Sequence, residues 1–302
     1  MNRSLDFSGE TVSAVVVTFN RDELLKRCLD HVTLQTHAIT HTIVIDNANS
    51  ESTKKLVESY GYIYISGAPS FGGAGGYKLG MEKAYSYNTD YVWLLDDDGY
   101  PEYNCLETQL KLSKLENLAI SSPLCIDQED FTQTSNPYVI GVKKVTSVTY
   151  LSNREVHTGV LQLFNGVLLS TNAISLIGFP IKDLFIRGDE LDYYYRIKKL
   201  KIAYGLISPA HYFHPSSKSE YPNSRNSLFG VIIPADEKKK YYQFRNQGYL
   251  ARKHRLALKA SIDWLRYSVY FLVYPGRNWS GFKKWAQLWI AGFTLNLDHF
   301  PK

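Results

Sequence analysis

The chain has 302 residues, 44% of them hydrophobic and 21% charged, so it buries a large core and is not a disordered protein. Three cysteines, Cys28, Cys105 and Cys125, none close to another, exclude a disulfide scaffold or a cysteine-rich zinc site and fit a reducing cytosol. The net charge of +5 is unevenly spread: from Lys238 to Lys284 twelve Lys or Arg meet one acid, Asp263, which leaves the rest at −6. The opening MNRSLDFSGE has no apolar signal region, and no run of about 18–20 apolar residues occurs, so the expectation is a cytoplasmic protein that does not span a membrane.

Val12–Thr18 is a β-branched apolar run, as a buried parallel strand should be. Asn20 with Glu23 three positions on resembles a capping box for a helix carrying Leu25, Cys28, Leu29 and Val32 at helical spacing. A strand at Thr42–Asp46, a helix over Thr53–Tyr60 and a strand at Tyr62–Ile65 follow, then a Gly-rich turn and a helix over Ala74–Tyr87. The fourth strand, Tyr91–Leu95, runs straight into Asp96-Asp97-Asp98. Strands joined by helical crossovers predict an α/β fold, a doubly wound and mostly parallel sheet. Beyond Pro101 the elements shorten: strands near Leu118–Cys125, Tyr138–Tyr150 and Gly159–Phe164, then a helix over Asp189–Lys199.

In such sheets ligands sit at the carboxyl ends of the strands, and here Thr18, Asp46 and Asp96 to Asp98 all end strands. Three successive carboxylates repel one another unless a cation or donors neutralise them. A hard divalent ion held by Asp96 and Asp98 answers that, with Gly99 easing the turn; a solvated acidic loop is the alternative. Ser70-Phe-Gly-Gly-Ala-Gly-Gly76 offers amides to a phosphate (Gly73, Gly75, Gly76), although it is neither a Walker A loop nor G-x-G-x-x-G, and a loop permitting close backbone approach reads equally well. Asp189 and Glu190 open a helix. The dipole favours acids there, while their proximity pushes one pKa upward, as a general base near neutrality requires. His211 and His214 follow a strand, and either can complete a metal site begun by carboxylates.

In this order these residues resemble the inverting nucleotide-sugar glycosyltransferases of the GT-A fold, glycosyltransferase family two. The motifs are Val16-Val-Thr-Phe-Asn-Arg21, Ile45-Asp-Asn47, Leu94-Leu-Asp-Asp-Asp98, Phe164-Asn-Gly-Val-Leu168, Gly178-Phe-Pro180 and Phe185-Ile-Arg-Gly-Asp-Glu190. Gly72-Gly-Ala-Gly-Gly-Tyr77 and Tyr241-Tyr-Gln-Phe-Arg-Asn246 are similar to the branch holding galactofuranosyl- and rhamnosyltransferases of cell-envelope polysaccharides.

The resemblance implies a nucleotide-sugar site with Thr18, Asn20 and Asp46 on the nucleoside, the Gly-rich turn beside it, and Asp97 near the donor sugar. It implies Mn²⁺ or Mg²⁺ on Asp96, Asp98 and His214, the last preferred to His211. It places the catalytic base at Glu190, with Asp189 as the alternative. Residues 1–235 are then the GT-A catalytic domain and 236–302 a basic, Trp-rich helical region. UDP-galactofuranose is the first choice of donor and dTDP-rhamnose the second; the acceptor is a glycan, possibly carried on a lipid. Trp279, Phe282, Trp285 and Trp289 recur at helical spacing with Lys283 and Lys284 between them, which suits an anionic membrane surface; packing on the protein or an oligomer contact is the alternative. No nucleic-acid-binding motif is present. A nucleotidyltransferase lacks its basic Gly-rich loop near Thr18–Arg21, and a non-catalytic sugar-nucleotide-binding subunit is opposed only by the intact acid set.

Overall fold

The computed structural model describes residues 9–216, 230–273, 278–298 and 300. The chain forms two compact units: one comprises the residues up to Pro180 with Arg196–Ser216, the other Ile181–Tyr195 with the chain from Ser217 onward. The second unit is thus more than the basic tail, because a segment of fifteen residues ending in the first turns of a helix belongs to it.

The first unit alternates β1 (Val12–Thr18), α1 (Asp22–Thr33), β2 (His41–Asp46), α2 (Glu51–Ser59), β3 (Ile63–Ser66), α3 (Gly72–Tyr85) and β4 (Tyr91–Asp96). Then come β5 (Tyr100–Pro101), α4 (Cys105–Leu115), β6 (Ile120–Asp127), β7 (Gln133–Ile140), β8 (Lys143–Ser147), α5 (Val148–Leu151), β9 (Val156–Thr158), β10 (Val167–Ser170) and α6 (Thr171–Ile177). The helix α7 (Asp189–Lys199) leads into β11 (Tyr204–His214). Among the described residues the sheet has eleven strands, with β3-β2-β1-β4-β10-β6-β11-β5 as its main path. The β1, β2, β3 and β4 pairings are parallel, β10 runs antiparallel between β4 and β6, and β6 and β11 are again parallel. The expected doubly wound sheet is therefore present.

Every residue of β1 is buried, as is all but the first of β2, because helices cover both faces of these central strands. The helix α1 turns Leu25, Cys28, Leu29 and Val32 into that core. The register sets Thr18 opposite Asp46 and Val17 opposite Asp96, so the polar ends of β1, β2 and β4 lie along one edge. The helix α3 packs through Gly76 and Gly80: a Cβ there would stand 2.5 Å from Val17 Cγ1 and 2.3 Å from Val15 Cγ1. Close helix–strand approach is what these glycines serve.

Three local expectations fail. Asn20 is not a cap: α1 begins after Arg21 with no side-chain cap, and Asn20 sits in the left-handed region at φ +54°. Gly159–Phe164 is not a strand, since both of its end residues have positive φ (+78° and +68°) and the strands fall on either side. Tyr138–Tyr150 is a β7–β8 hairpin turning at Gly141 (φ +62°), then the short α5.

The second unit is built on α8 (Glu237–Lys253), α9 (Ala257–Ser268), a π-helical turn at Val269–Val273 and α10 (Trp279–Phe293). The helices α8 and α10 cross almost backbone to backbone: a Cβ on Gly248 would lie 1.8 Å from the Trp289 carbonyl oxygen, and one on Gly292 equally close to that of Arg245. Gly248→Ala must force the helices apart. We expect a loss of about 1–3 kcal/mol, seen as a lower midpoint of thermal unfolding, whereas Gly73→Ala meets open space and shifts it little.

Trp285 and Trp289 of α10 are buried against Trp264 and Tyr267 of α9, with Tyr267 stacked on Trp285 at 4.7 Å. The expectation that the α10 tryptophans face a membrane is thereby corrected for these two: their surface is spent inside the unit. Only Trp279, at 66% exposure, remains largely open. Arg277 of the basic stretch lies outside the described residues.

Candidate active site

At the end of β4 the chain places Asp96, Asp97 and Asp98 in three different surroundings. Asp97 is buried and accepts the Thr18 hydroxyl at 2.7 Å; its other oxygen lies 3.0 Å from Arg21 Nη1. The same Arg21 nitrogen donates to Asp98 Oδ2 at 2.9 Å, and His214 Nε2 stands 3.1 Å from Asp98 Oδ1. The Asp96 carboxylate accepts the Asp97 amide, while the Asp96 carbonyl accepts the Tyr212 hydroxyl at 3.0 Å.

Strand alternation decides between the histidines. Both lie within β11 rather than beyond it, three positions apart, so they point to opposite faces. An irregularity between Ile207 and His211 resets the register, after which Tyr212 and His214 share the face toward Asp96 and Asp98. His211 turns the other way and pairs with Glu102 at 2.9 Å. Gly99 serves close approach rather than a special turn: a Cβ there would overlap the Tyr212 ring at 2.3 Å.

Burial and two neighbouring carboxylates push the Asp96 carboxyl well above its ordinary range. Burial also raises Asp97, against the pull of Arg21 and the Thr18 hydroxyl. For Asp98 burial again works upward, but His214 and Arg21 outweigh it and hold the carboxyl below the usual range. His214 is raised: its burial opposes charge, yet Asp98 and Asp96 outweigh that. The cluster is therefore short of positive charge at Asp96. One ligand atom from each of Asp96, Asp98 and His214 falls within 4.8 Å of the others. Two carboxylates and an imidazole so spaced fit a divalent cation.

The residues expected on the nucleoside sit along the same edge. Thr18 is tied to Asp97, and Asn20 is exposed. Asp46 is buried, and its carboxylate accepts the amides of Ala48 and Ser50 at 2.8 and 2.7 Å and the Tyr64 hydroxyl at 3.1 Å. It thus shapes the β2–α2 loop. Burial and Asp46 push the Tyr64 hydroxyl up to about 12. The Gly-rich segment is the first turn of α3 rather than a loop ahead of it: Gly73 is half-buried, while Gly75 and Gly76 are buried. The sequence motifs assign Arg21 no role of its own. Its only signal was a lone cation just past a strand end, opposite three acids.

In the second unit, Asp189 and Glu190 form the first turn of α7. Asp189 is buried and Glu190 exposed. Burial and then the Glu190 charge push the Asp189 carboxyl up to about 8. The turn is pinned through Asp192, whose Oδ1 lies 2.9 Å from both Lys253 Nζ at the end of α8 and His254 Nε2 just past it.

The loop before it is clamped by two fully buried residues of α8. Asn246 Nδ2 donates to the carbonyls of Leu184, Ile186 and Arg187 at 2.9–3.0 Å. Arg245 donates to the carbonyls of Asp183, Leu184, Leu297 and Asp298, and to Asn246 Oδ1. The clamped loop has Phe185 and Arg187 at φ +64° and +63° and Gly188 at +131°, with Asn246 Cβ only 2.9 Å from where a Gly188 Cβ would stand. Side chains at Phe185 and Arg187 disfavour that backbone, so Arg245 and Asn246 sustain it. Arg245 and Asn246 close the Tyr241–Asn246 motif, whose sequence carries no sign of this clamp.

A sheet whose carboxyl edge gathers Thr18, Asp46, three successive aspartates and a histidine defines a nucleotide-sugar glycosyltransferase of the GT-A fold. Residues 13–158 match the family described as Glycosyl transferase family 2. The chain is 33% identical over 288 residues to galactofuranosyltransferase GlfT1 of Mycolicibacterium smegmatis, covering 92% of this chain and 95% of that protein. It is 32% identical over 287 residues to GlfT1 of Mycobacterium tuberculosis, covering 92% and 94%. The chain belongs to glycosyltransferase family 2.

Among solved structures, S. aureus TarS 1–349 in complex with UDP superposes with a TM-score of 0.54 at 14% identity, covering 86% of this chain and 72% of that one. GalNAc-T7 with UDP, GalNAc and Mn²⁺ gives 0.59 at 13%, covering 93% and 55%. These similarities show a shared fold.

Proposed function

We propose that this glycosyltransferase moves galactofuranose from UDP-galactofuranose to a growing cell-envelope glycan, with inversion at the anomeric carbon. The observation that carries the reading is the Asp96–Asp98–His214 cluster, in a chain that aligns along nearly its whole length with GlfT1. Residues up to about 235 serve as the donor-binding and catalytic domain, and 236–302 as its basic helical extension.

Thr18, Asn20, Asp46 and the start of α3 (Gly73, Gly75, Gly76) border the nucleoside and diphosphate, and Asp97 lies by the donor sugar. Asp96, Asp98 and His214 hold Mn²⁺ or Mg²⁺, which supplies positive charge for a departing diphosphate. Glu190 is the base. It is exposed, whereas Asp189 beside it is buried and proton-bearing at neutral pH. Glu190 takes the proton of an acceptor hydroxyl, whose oxygen bonds to the anomeric carbon as the bond to the UDP oxygen breaks. UDP leaves with the electron pair, and the single displacement inverts the configuration.

The acceptor is a glycan on a lipid carrier, so the enzyme works at the cytoplasmic face of a membrane. No described helix is long and apolar enough to cross one; the attachment proposed is peripheral.

The test is release of the nucleoside diphosphate, UDP or dTDP, from a panel of donors with Mn²⁺ present. UDP-galactofuranose is expected to turn over fastest, and EDTA to stop turnover until metal is returned. Preference for dTDP-rhamnose changes the donor and keeps the chemistry. Inertness with every donor, with or without acceptor glycan, contradicts the reading.

A further inference from the structure

The helix α9 is apolar on two opposite sides. At 100° per residue, Ala260, Trp264 and Tyr267 fall together and pack into the core of the second unit. Leu258, Ile262 and Leu265 fall within about 60° of one another on the other side, and they are 76%, 42% and 55% exposed. Val273, at the end of the π-helical turn that extends α9, is 72% exposed. One apolar face is enough to fix a helix onto its core; a second, uncovered face lowers solubility unless something covers it.

The charge around this face identifies its occupant. It lies in the Lys238–Lys284 stretch, whose one acid, Asp263, is already paired with Lys259 at 2.5 Å. Arg252 at the end of α8, Arg255 in the turn before α9, Lys259 on α9 and Lys283 on α10 are exposed. A second copy of the chain would set an equal excess of +11 against this one. An anionic surface meets that excess with attraction, and exposed aliphatic side chains within a basic stretch of chain suit the boundary between headgroups and acyl chains.

We propose that the outer face of α9, formed by Leu258, Ile262 and Leu265 and continued by Val273, docks this protein on an anionic lipid bilayer. The inference rests on the peripheral attachment proposed above and assigns it to one helix face, in place of the α10 tryptophans.

The test is sedimentation of the full chain with vesicles of 30% phosphatidylglycerol in phosphatidylcholine, against pure phosphatidylcholine. Wild type binds the anionic vesicles, and raised salt weakens the binding. Leu258→Ser/Ile262→Ser/Leu265→Ser lowers the partition coefficient at least about tenfold, with unchanged UDP release and an undiminished melting temperature. Leu258→Glu, a single change at the most exposed position, weakens binding in the same direction and guards against misfolding of the triple variant.

Undiminished binding of both variants overturns the assignment of the face and leaves the peripheral reading standing. Failure of wild type to bind anionic vesicles overturns both. A concentration-dependent dimer of wild type that is absent in the triple variant shows the face covered by a second copy and overturns the proposal.

Discussion

Asp98→Asn lowers UDP release from the donor by about 10²–10³-fold, the loss seen when one element of transition-state charge stabilisation is removed. Asp98 joins both halves of the cluster, with one oxygen on Arg21 and the other near His214. Asparagine keeps the shape but takes away the charge that holds His214 and offers an ion a weaker ligand. His214→Ala removes the only imidazole of the cluster and lowers turnover comparably. Neither change touches the core of β4 or β11, so circular dichroism and the melting temperature of the free protein stay close to wild type. The stabilisation that UDP with Mn²⁺ gives in a thermal-shift measurement falls in both variants, because a ligand bound to the native state raises the midpoint. Arg21→Ala acts differently. It leaves the three ligand side chains in place and removes a cation from Asp97 and Asp98, so the smaller loss in turnover comes with a changed metal affinity. Full turnover in Asp98→Asn contradicts the reading of this cluster.

The first hundred residues were legible because buried parallel strands read as unbroken apolar runs. The expected bounds of β1, and of α7 further on, match the structure to the residue; β2 and β4 differ by one at one end and β3 by one at each end. The acid cluster was legible for a related reason: three carboxylates at the end of a buried strand have no use in packing. Pairwise facts that depend on the third dimension were not legible. Whether His211 or His214 joined the site turned on an irregularity in β11 that no local pattern announces. Gly99 yields to a tyrosine more than a hundred positions away. The α10 tryptophans follow a helical period that fits a core as well as a membrane, and only the position of α9 shows which. The open side of α9 was hidden for the same reason, since periodicity gives an apolar face but not what covers it.

Glu190→Gln abolishes acceptor-dependent transfer, with a loss of about 10²–10⁴-fold in kcat, and leaves the thermal shift by UDP and Mn²⁺ intact. Asp189→Asn loses less, because the buried member of the pair already carries a proton at neutral pH. The two differ further in stability. In the fold the Asp189 carboxyl titrates at about 8, whereas in the unfolded chain it does so at about 4. Between these values the native state binds a proton that the unfolded state has lost, so stability falls as pH rises, by up to about 1.4 kcal/mol per pH unit. Below pH 4 the penalty is absent, and above 8 it is complete. Asparagine carries no titrating group, so the stability of Asp189→Asn relative to wild type should climb with pH across that window, as denaturant melts at pH 5, 6, 7 and 8 would register. A constant difference across the series means that Asp189 is ionised in the fold, which would return it to contention as the base. Asn246→Ala tests how the pair is held. It takes a donor from the carbonyls of Leu184, Ile186 and Arg187, of which that of Leu184 keeps Arg245, and leaves Arg245 without its amide partner. If the clamp sustains the left-handed backbone at Phe185 and Arg187, kcat falls at least about tenfold, as displacement of a catalytic group does, with the KM for the donor little changed. The melt of Asn246→Ala also loses part of its pH dependence as Asp189 gains water. A drop in melting temperature with kcat and pH dependence preserved instead confines Asn246 to holding the second unit together.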